Sequence, residues 1–246
     1  MEPPPGSWQP AWGEVAVLAA LGAAYGVAVR HYPTTRGRAV SFAAGLVLAT
    51  AVFVTPVSTL ALHYLLSAHL FQNVALAEWV PLLLVLGIPP ALAAILARTP
   101  GVRRLVHPLV ALPLWIASYA AWHVPAIYDA ALRNHALLGL EHACYLVSGV
   151  LLWWPVFQDE PHELGSSRRA VYVFAAFLLA SPLGLLLALV PDPIYGFYEA
   201  APRVWDLSPL TDQQIAGIIM AASEAVVFFA VFAAYLLRFF YEEGAV

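Results

Sequence analysis

The sequence predicts an all-α, polytopic membrane protein with seven transmembrane helices in one domain. Of its 246 residues, 62% are hydrophobic and 11% are charged, a balance typical of a chain with several membrane spans. Apolar runs long enough to cross a bilayer recur along the chain, and short polar or proline-rich segments separate them. We predict spans at about residues 12–30, 38–57, 63–87, 105–123, 136–157, 170–190 and 213–240, within a single domain of residues 1–246.

The first three spans follow from apolar runs that polar turns interrupt. The turn HYPTTRGR separates the first two spans and is too polar to lie in lipid. The N-terminus lacks the basic region of a signal peptide, so we predict that the first apolar run is a retained span. The third run is long and contains Pro81, where we predict a kink, because proline removes a backbone hydrogen bond and clashes with the preceding turn.

The last four spans are separated by longer polar segments. The segments ARTPGVRR and QDEPHELGSSRR precede the fourth and the sixth span. A long segment, residues 191–212, leads into the seventh span and is rich in aromatic residues. These aromatics predict either a lid on the outer surface or a docking patch, and they are Tyr195, Phe197, Tyr198 and Trp205.

Arginine placement predicts the orientation of the chain in the membrane. The sequence contains no lysine, and nine of its eleven arginines fall on one side of the predicted spans, whereas Arg133 and Arg203 fall on the other. By the positive-inside rule, the N-terminus is predicted to lie outside and the C-terminus in the cytoplasm. The nine are Arg30, Arg36, Arg38, Arg98, Arg103, Arg104, Arg168, Arg169 and Arg238.

Histidines concentrate on the predicted outer side. Three of the eight lie near polar loops on the cytoplasmic side and are interpreted as solvated, namely His31, His107 and His162. The other five fall on the outer side or in the outer half of spans, and they come from several spans and their ends. They are His63, His69, His123, His135 and His142.

Helical spacing divides the polar residues of the membrane segments into faces. His69, Gln72 and Asn73 are three and four residues apart and share one face of the third span. Glu78 follows nine residues after His69, about half a turn away on a helix of about 3.6 residues per turn, so it needs a partner of its own. The remaining groups are His135 and His142 on one face of the fifth span, and Asp212, Gln213, Gln214, Met220 and Glu224 along the seventh.

Two hypotheses follow for the outer polar residues. Polar side chains inside a membrane are costly and normally face the bundle interior, where they mark a site. Imidazole and thioether groups suit copper, and thioethers favour Cu(I), so His69, His123, His142 and Met220 are candidates for an outward-opening copper site. The alternative is that these groups only form hydrogen bonds between helices, as polar groups in membranes often do.

Glu78 and Glu224 are carboxyl groups placed deep in predicted spans. They are interpreted either as part of a proton path or as a hydrogen-bonded, neutral pair. The structural interpretation is preferred, because two such groups without further carriers do not form a path across the membrane.

Three segments carry distinctive motifs: SAHLFQ at residues 67–72 followed by PLLLVLG at 81–87, WHVPAIYDAALRNHALLGLEHACYLVSGVLLWWPV at 122–156, and LSPLTDQQIAGIIM at 207–220. Together they resemble the seven-span CtaG-type assembly factors of bacterial caa3-type cytochrome c oxidases. The likeness extends over spans two to seven. The resemblance implies a non-enzymatic protein of the bacterial plasma membrane, surrounded by lipid, with the subunits of a haem-copper oxidase as partners.

The resemblance further implies a role in supplying copper to the oxidase. It identifies candidate copper ligands and a polar lining around them. On the resemblance, the candidate ligands His69, His123, His142 and Met220 line an outer-facing polar site together with Asp212, Gln213 and Gln214. Helical spacing and placement add Gln72, Asn73 and His135 to the candidate lining.

The sequence departs from the family pattern at the expected second histidines. The family carries two histidines four residues apart in the third span, but Asn73 occupies the second position here. In the fifth span, Leu138 replaces the histidine expected four residues before His142. Asparagine is a poor copper ligand and leucine is none, so the sequence leaves copper binding open. Glu78 also stands where the family has an apolar residue.

Three functions therefore remain open. The first is an assembly factor that handles Cu(I) and docks transiently on an immature oxidase. The second is a metal-free accessory subunit of a haem-copper oxidase or respiratory supercomplex, which the replaced histidines favour. The third, favoured least, is a b-type cytochrome with haem between His69 and His142, because axial histidine ligation is chemically reasonable but no haem motif is present. No nucleotide-binding or basic nucleic-acid-binding motif is found, so no nucleic-acid partner is expected.

Overall fold

The computed structural model describes residues 2–244, and every regular element within that range is helical. Six helices are long and apolar enough to cross a membrane, and one bent pair of helices supplies a seventh span if it is counted as one. The predicted all-helical class is confirmed, and the chain is a multi-pass membrane protein by the length and composition of its helices. Its orientation in the membrane stays a prediction.

The described part of the chain folds into thirteen α-helices and one π-helical turn. In chain order they are α1 (Trp12–His31), α2 (Arg36–Val54), α3 (Pro56–His63), α4 (Leu66–Val74), the π-turn (Ala75–Trp79), α5 (Val80–Gly87), α6 (Pro90–Leu96), α7 (Pro100–Leu105), α8 (Pro108–Trp122), α9 (Pro125–Leu132), α10 (His135–Phe157), α11 (Ser166–Leu189), α12 (Gly196–Ala200) and α13 (Pro209–Glu242).

Prolines shift several of the predicted span boundaries. The second span was predicted to reach residue 57, but α2 ends at Val54 and Pro56 begins α3. The proline ring disfavours the helical conformation in the residue that precedes it, so a helix tends to end there. Proline itself is well tolerated in the first helical turn, where no backbone N–H is needed. For the same reason the seventh span begins at Pro209 rather than at residue 213.

The fourth span is shorter and more broken than predicted. Its helix, α8, begins at Pro108 rather than at residue 105, because a separate short helix, α7, precedes it. The 15 residues of α8 are too few to cross a bilayer core at about 1.5 Å per residue. The chain then bends by 73° and continues as α9, so a seventh span is present only if this bent pair is counted as one.

A π-turn, Ala75–Trp79, lies just before Pro81, where the sequence predicts a kink. Because Pro81 has no N–H, it cannot donate to the carbonyl of Ala77, and the indole of Trp115 donates to that carbonyl instead, at 3.3 Å. The neighbouring carbonyl of Glu78 accepts a hydrogen bond from the indole of Trp153 at 2.9 Å. π-helical turns inside longer helices occur frequently at functional sites. This one directs Glu78 into the bundle interior, where it is fully buried.

Small residues allow the spans to approach closely. A Cβ atom built at Gly217 of α13 would lie 2.5 Å from the backbone nitrogen of Ala188 in α11. At Gly149 of α10, a Cβ atom would collide with the carbonyl of Ala77 and lie 2.5 Å from the ring of Pro81. Membrane helices commonly use glycine in this way, because close backbone contact maximises packing where lipid provides no hydrophobic driving force.

The two ends of the bundle differ in composition, and we name them accordingly. At the arginine-rich end, where α2, α8 and α11 begin, Arg38 donates to the backbone carbonyls of Leu86 and Ile88 at 2.9 and 2.8 Å. At the opposite, histidine-rich end, α3 and α9 close the bundle. There His63 lies 2.5 Å from the carboxylate of Glu2.

Candidate functional site

Three buried histidines from different elements meet near the histidine-rich end, and we call His69, His123 and His142 the histidine cluster. His69 lies in α4, His142 lies in α10, and His123 directly follows α8. The ring centroids of His69 and His142 are 6.3 Å apart. The ring of Tyr128 packs between His69 and His123, at centroid distances of 5.2 and 6.0 Å. The structure thus brings together three of the four predicted copper ligands.

Tyr198 fixes the orientation of the His69 ring. Its hydroxyl donates to the backbone carbonyl of Ala61 at 2.6 Å and lies 2.8 Å from Nδ1 of His69. Burial raises the pKa of Tyr198 well above its usual value, so the hydroxyl stays protonated. Since that single proton is used on Ala61, Nδ1 of His69 must donate to the Tyr198 oxygen. In a neutral imidazole, Nε2 of His69 then carries the lone pair.

A backbone carbonyl fixes His123 in the same way. Nδ1 of His123 lies 2.8 Å from the carbonyl oxygen of Tyr119. A carbonyl only accepts hydrogen bonds, so Nδ1 carries the proton and Nε2 again carries the lone pair. Metal-binding histidines usually donate their other ring N–H to a carbonyl or similar acceptor. His69 and His123 therefore both have the arrangement of a metal ligand.

The Nε2 atoms of all three histidines are buried and have no hydrogen-bond partner within residues 2–244. A buried polar atom without a partner is costly, so three in one cluster make it a candidate site for a ligand or for ordered water. Among the same residues, no three His, Cys, Asp or Glu side chains are arranged to hold one metal ion. A metal ion would therefore be held by fewer of these side chains, or after a side-chain movement.

A cavity of about 220 Å³ extends from the protein surface to His142, one member of the histidine cluster. Its lining includes buried His142 and Gln72, and it also includes His135 and Glu14, which are exposed. The N-terminal segment forms one side of the cavity, and the backbone N–H of Gln9 holds it there by donating to the carbonyl at the end of α2, at 3.0 Å. His135 thus lies at the cavity entrance rather than within the cluster.

Asn73, which stands in place of an expected histidine, is buried and already forms a side-chain hydrogen bond. Its Nδ2 donates to Oε1 of Glu141 at 3.0 Å. Gln72 likewise donates from Nε2 to the backbone carbonyl of Val52 at 2.8 Å. The side-chain oxygens of Asn73 and Gln72 and the second carboxyl oxygen of Glu141 have no hydrogen-bond partner in the described chain. Leu138, which replaces the other expected histidine, is buried and lines the cavity.

The polar residues that open α13 bind backbone groups rather than the histidines. Asp212 accepts hydrogen bonds from the first two backbone N–H groups of α4, at 2.6 and 3.1 Å, and so caps that helix from another span. Gln213 accepts from the backbone of the segment after α11 at 2.7 Å. Gln214 is partly exposed, and Met220 is fully buried in the main core.

The segment between α11 and α13 covers the histidine cluster. Tyr195 is buried and donates from its hydroxyl to the backbone carbonyl of His123 at 3.1 Å, and Tyr198 binds His69 as described above. Trp205 of the same segment is 69% exposed. Two of the four predicted aromatics therefore lie over the cluster, while Trp205 is exposed.

Sequence reasoning missed two residues of this site, Glu141 and Tyr128. Glu141 carried a readable signal, because it is an acidic residue inside a predicted span, as are Glu78 and Glu224. Tyr128 carried none, since tyrosine near the ends of membrane spans is ordinary.

A second buried polar region lies deeper in the bundle, and we call Glu78 and Glu224 the carboxyl pair. The two carboxyl groups are close enough to interact electrostatically. The hydroxyl of Tyr119 donates to Oε1 of Glu224. Both carboxyl oxygens of Glu78 have no partner within residues 2–244. As its spacing predicts, Glu78 belongs to a different neighbourhood from His69.

Comparisons with known proteins bear on this arrangement. A family model described as cytochrome c oxidase caa3 assembly factor matches residues 21–242. Two uncharacterised proteins, from Mycobacterium bovis and Mycobacterium tuberculosis, are each 27% identical over 174 residues, which is 61% of this chain. The match covers 26% of each relative, so this chain corresponds to about a quarter of their length. No solved structure matches.

Proposed function

The chain belongs to the family of cytochrome c oxidase caa3 assembly factors, and from this premise we propose that it binds Cu(I) at the histidine cluster and delivers it to a haem-copper oxidase. In this role the copper ion is cargo, and the protein catalyses no reaction. Its partners are oxidase subunits in a bacterial plasma membrane.

The observation that carries this proposal is the set of three buried, unpartnered Nε2 atoms. Imidazole nitrogens are suitable ligands for copper, and Cu(I) accepts low coordination numbers. A low coordination number agrees with the finding that, in the described chain, no three ligating side chains are arranged around one point. The hydrogen bonds of His69 and His123 hold their lone pairs in place for such an ion.

The surroundings support a cation in this position. Neutral imidazoles do not compensate the charge of a bound ion, and an uncompensated charge in an apolar interior is costly. Glu141 accepts a hydrogen bond from Asn73, one turn along α4 from His69, and its other oxygen has no partner in the described chain, so its ionised carboxylate would offset the charge of the ion. The cavity past His135 gives a route from the surface to His142. Met220 remains a proposed additional ligand.

A second candidate function is a metal-free accessory subunit of the oxidase. The hydrogen bond between Asn73 and Glu141 favours it, because the residue in place of a histidine already has a structural partner. Leu138, at the other expected histidine position, has no ligating atom. In this alternative the chain contributes its surface, including exposed Trp205, to a stable complex.

The two candidates differ in the copper content of the oxidase. In cells that lack the protein, wild type and His69→Ala are expressed in turn, and copper per haem is measured in the purified oxidase. Copper delivery predicts that wild type restores copper and that His69→Ala does not. His63→Ala is the matched control, because His63 lies at the same end but outside the cluster, where it binds Glu2.

An accessory subunit gives a different result. The His69→Ala variant then restores the amount of oxidase as well as wild type does, and copper per haem never changes. If deletion leaves the amount, copper content and activity of the oxidase unaltered, both candidates are wrong.

A further inference from the structure

A groove at the arginine-rich end, between α8 and α11, lies apart from the histidine cluster. It has a volume of about 650 Å³, within the range of small-molecule sites. One end of the groove is polar, and the rest of its wall is apolar. The polar end is formed by His107, His162, Ser167 and Arg168, and the apolar wall includes Leu109, Leu112, Pro113, Val171 and Ala175.

The polar end presents hydrogen-bond donors. Nδ1 of His107 accepts from the backbone N–H of Leu109 at 3.2 Å, so in a neutral ring Nε2–H of His107 remains a donor. The ring of His162 packs edge-on against His107 at 4.6 Å. The N-termini of α8 and α11 are both at this end, and helix N-termini favour anions.

Charge at this end is positive and available. Arg168 is exposed and makes no salt bridge or hydrogen bond within residues 2–244, and Arg103 and Arg104 are also exposed nearby in α7. The acidic residue Asp159 is engaged by Arg169 rather than by Arg168. An anion at the polar end would therefore meet unpaired basic groups.

Tyr172 supplies an independent indication of a ligand. Its side chain lines the groove, the residue is only 8% exposed, and its hydroxyl has no hydrogen-bond partner in the described chain. A buried hydroxyl without a partner is costly unless a bound molecule satisfies it. Tyr172 is one turn along α11 from Arg168 and shares its face of the helix, so both side chains line the same groove.

From these observations we propose that the groove binds one anionic phospholipid. The phosphate group binds Arg168 and the Nε2–H of His107, the Tyr172 hydroxyl donates to an ester carbonyl, and an acyl chain covers the apolar wall. Leu109 and Val171 of that wall are 80% and 67% exposed, as expected for residues that contact lipid chains. A phospholipid has the same division as the groove, with one charged end and an apolar remainder. Basic pockets between membrane helices recognise anionic headgroups.

The test measures which lipid the full chain retains. The purified protein is incubated in detergent with a solubilised mixture of equal parts phosphatidylglycerol and phosphatidylcholine. It is then re-isolated and analysed for bound lipid. We expect wild type to retain phosphatidylglycerol in preference to phosphatidylcholine. Arg168→Gln is expected to lower retained phosphatidylglycerol about five-fold, as for one basic group near an anionic lipid surface. Tyr172→Phe is expected to cause a smaller loss without changing the headgroup preference.

Arg36→Gln is the matched control, because Arg36 is exposed at the same end but does not line the groove. It is expected to retain lipid as wild type does. Equal retention of the two lipids by wild type would overturn the proposal. Equal losses in Arg168→Gln and Arg36→Gln would also overturn it, because they would indicate a general charge effect. A third contradicting result is a co-purified polypeptide that is lost in Arg168→Gln while the amount of bound lipid stays the same. None of these results depends on copper binding.

Discussion

The histidine cluster and the carboxyl pair are both buried, polar and incompletely hydrogen-bonded, yet they differ in how they are built. His142 lies beside a cavity that reaches the surface, and the rings of His69 and His123 are held by hydrogen bonds at Nδ1. The carboxyl pair lies among aromatic side chains, including Tyr119, Trp115 and Trp153. Unpaired polar atoms therefore do not identify a binding site alone. Access and fixed orientation distinguish the cluster from the pair.

The largest expected effect is on copper affinity, which substitutions in the histidine cluster should lower and substitutions in the carboxyl pair should leave unchanged. His69→Ala removes one oriented Nε2 and is expected to weaken Cu(I) binding more than about a hundredfold, because even supporting residues of metal sites are worth about ten- to hundredfold. Competition with a chromophoric Cu(I) chelator under reducing conditions measures this affinity. A His69→Ala protein that binds Cu(I) as tightly as wild type would show that the cluster is not the site.

The next largest effect is expected on the free energy of unfolding, at the π-turn that carries Glu78 of the carboxyl pair. Gly149→Ala places a Cβ atom against Ala77 and Pro81, at the π-turn that carries Glu78. Overpacking of this kind costs about 2 kcal/mol, or about thirty-fold in the folding equilibrium, and should lower the thermal midpoint of unfolding in detergent. Gly139→Ala is the control in the same helix, because no atom lies within 4 Å of its Cβ position. Equal midpoints for the two variants would contradict the close packing at the π-turn.

A smaller effect is expected when the orientation of a histidine is disturbed but its ring is kept. Tyr198→Phe removes the acceptor of the Nδ1–H of His69 and should weaken Cu(I) binding about ten-fold. Tyr195→Phe removes a hydroxyl that binds only the backbone of His123, and affinity should stay within about two-fold of wild type. The same chelator competition measures both, and equal affinities would mean that the hydrogen bond to Tyr198 has no role in binding.

The smallest effect is expected at the carboxyl pair itself. Glu78→Gln keeps the shape of the side chain and should leave Cu(I) affinity within about two-fold of wild type, because this carboxyl group lies outside the cluster. Its thermal midpoint should be equal to or above that of wild type, since a neutral amide of the same shape removes the cost of burying an ionisable group. A large loss of copper affinity in Glu78→Gln would show that the two regions act together.

Much of the fold was predictable because it depends on local pattern. Long apolar runs give the spans, and the i, i+3, i+4 spacing correctly groups His69, Gln72 and Asn73 as buried residues of one helix. The proline-dependent boundaries were also readable, since Pro56 and Pro209 begin helices by a local steric rule.

The remaining features depend on contacts between distant parts of the chain. The hydroxyl of Tyr198 and the ring of His69 are 129 residues apart in sequence, and Glu141 and Asn73 are 68 apart. The capping of α4 by Asp212 crosses more than 140 residues. The π-turn at Glu78 forms because Trp115 and Trp153 satisfy its carbonyls from two other spans. No periodicity in one sequence encodes such partners.

The most direct test is the copper content of the chain itself. Wild type, His69→Ala and Glu224→Gln are purified in detergent, loaded with Cu(I) under anaerobic reducing conditions, desalted and analysed for copper per chain. Copper binding by the histidine cluster predicts about one ion in wild type, about one in Glu224→Gln and almost none in His69→Ala. A wild-type protein without copper, or equal copper in wild type and His69→Ala, would contradict it.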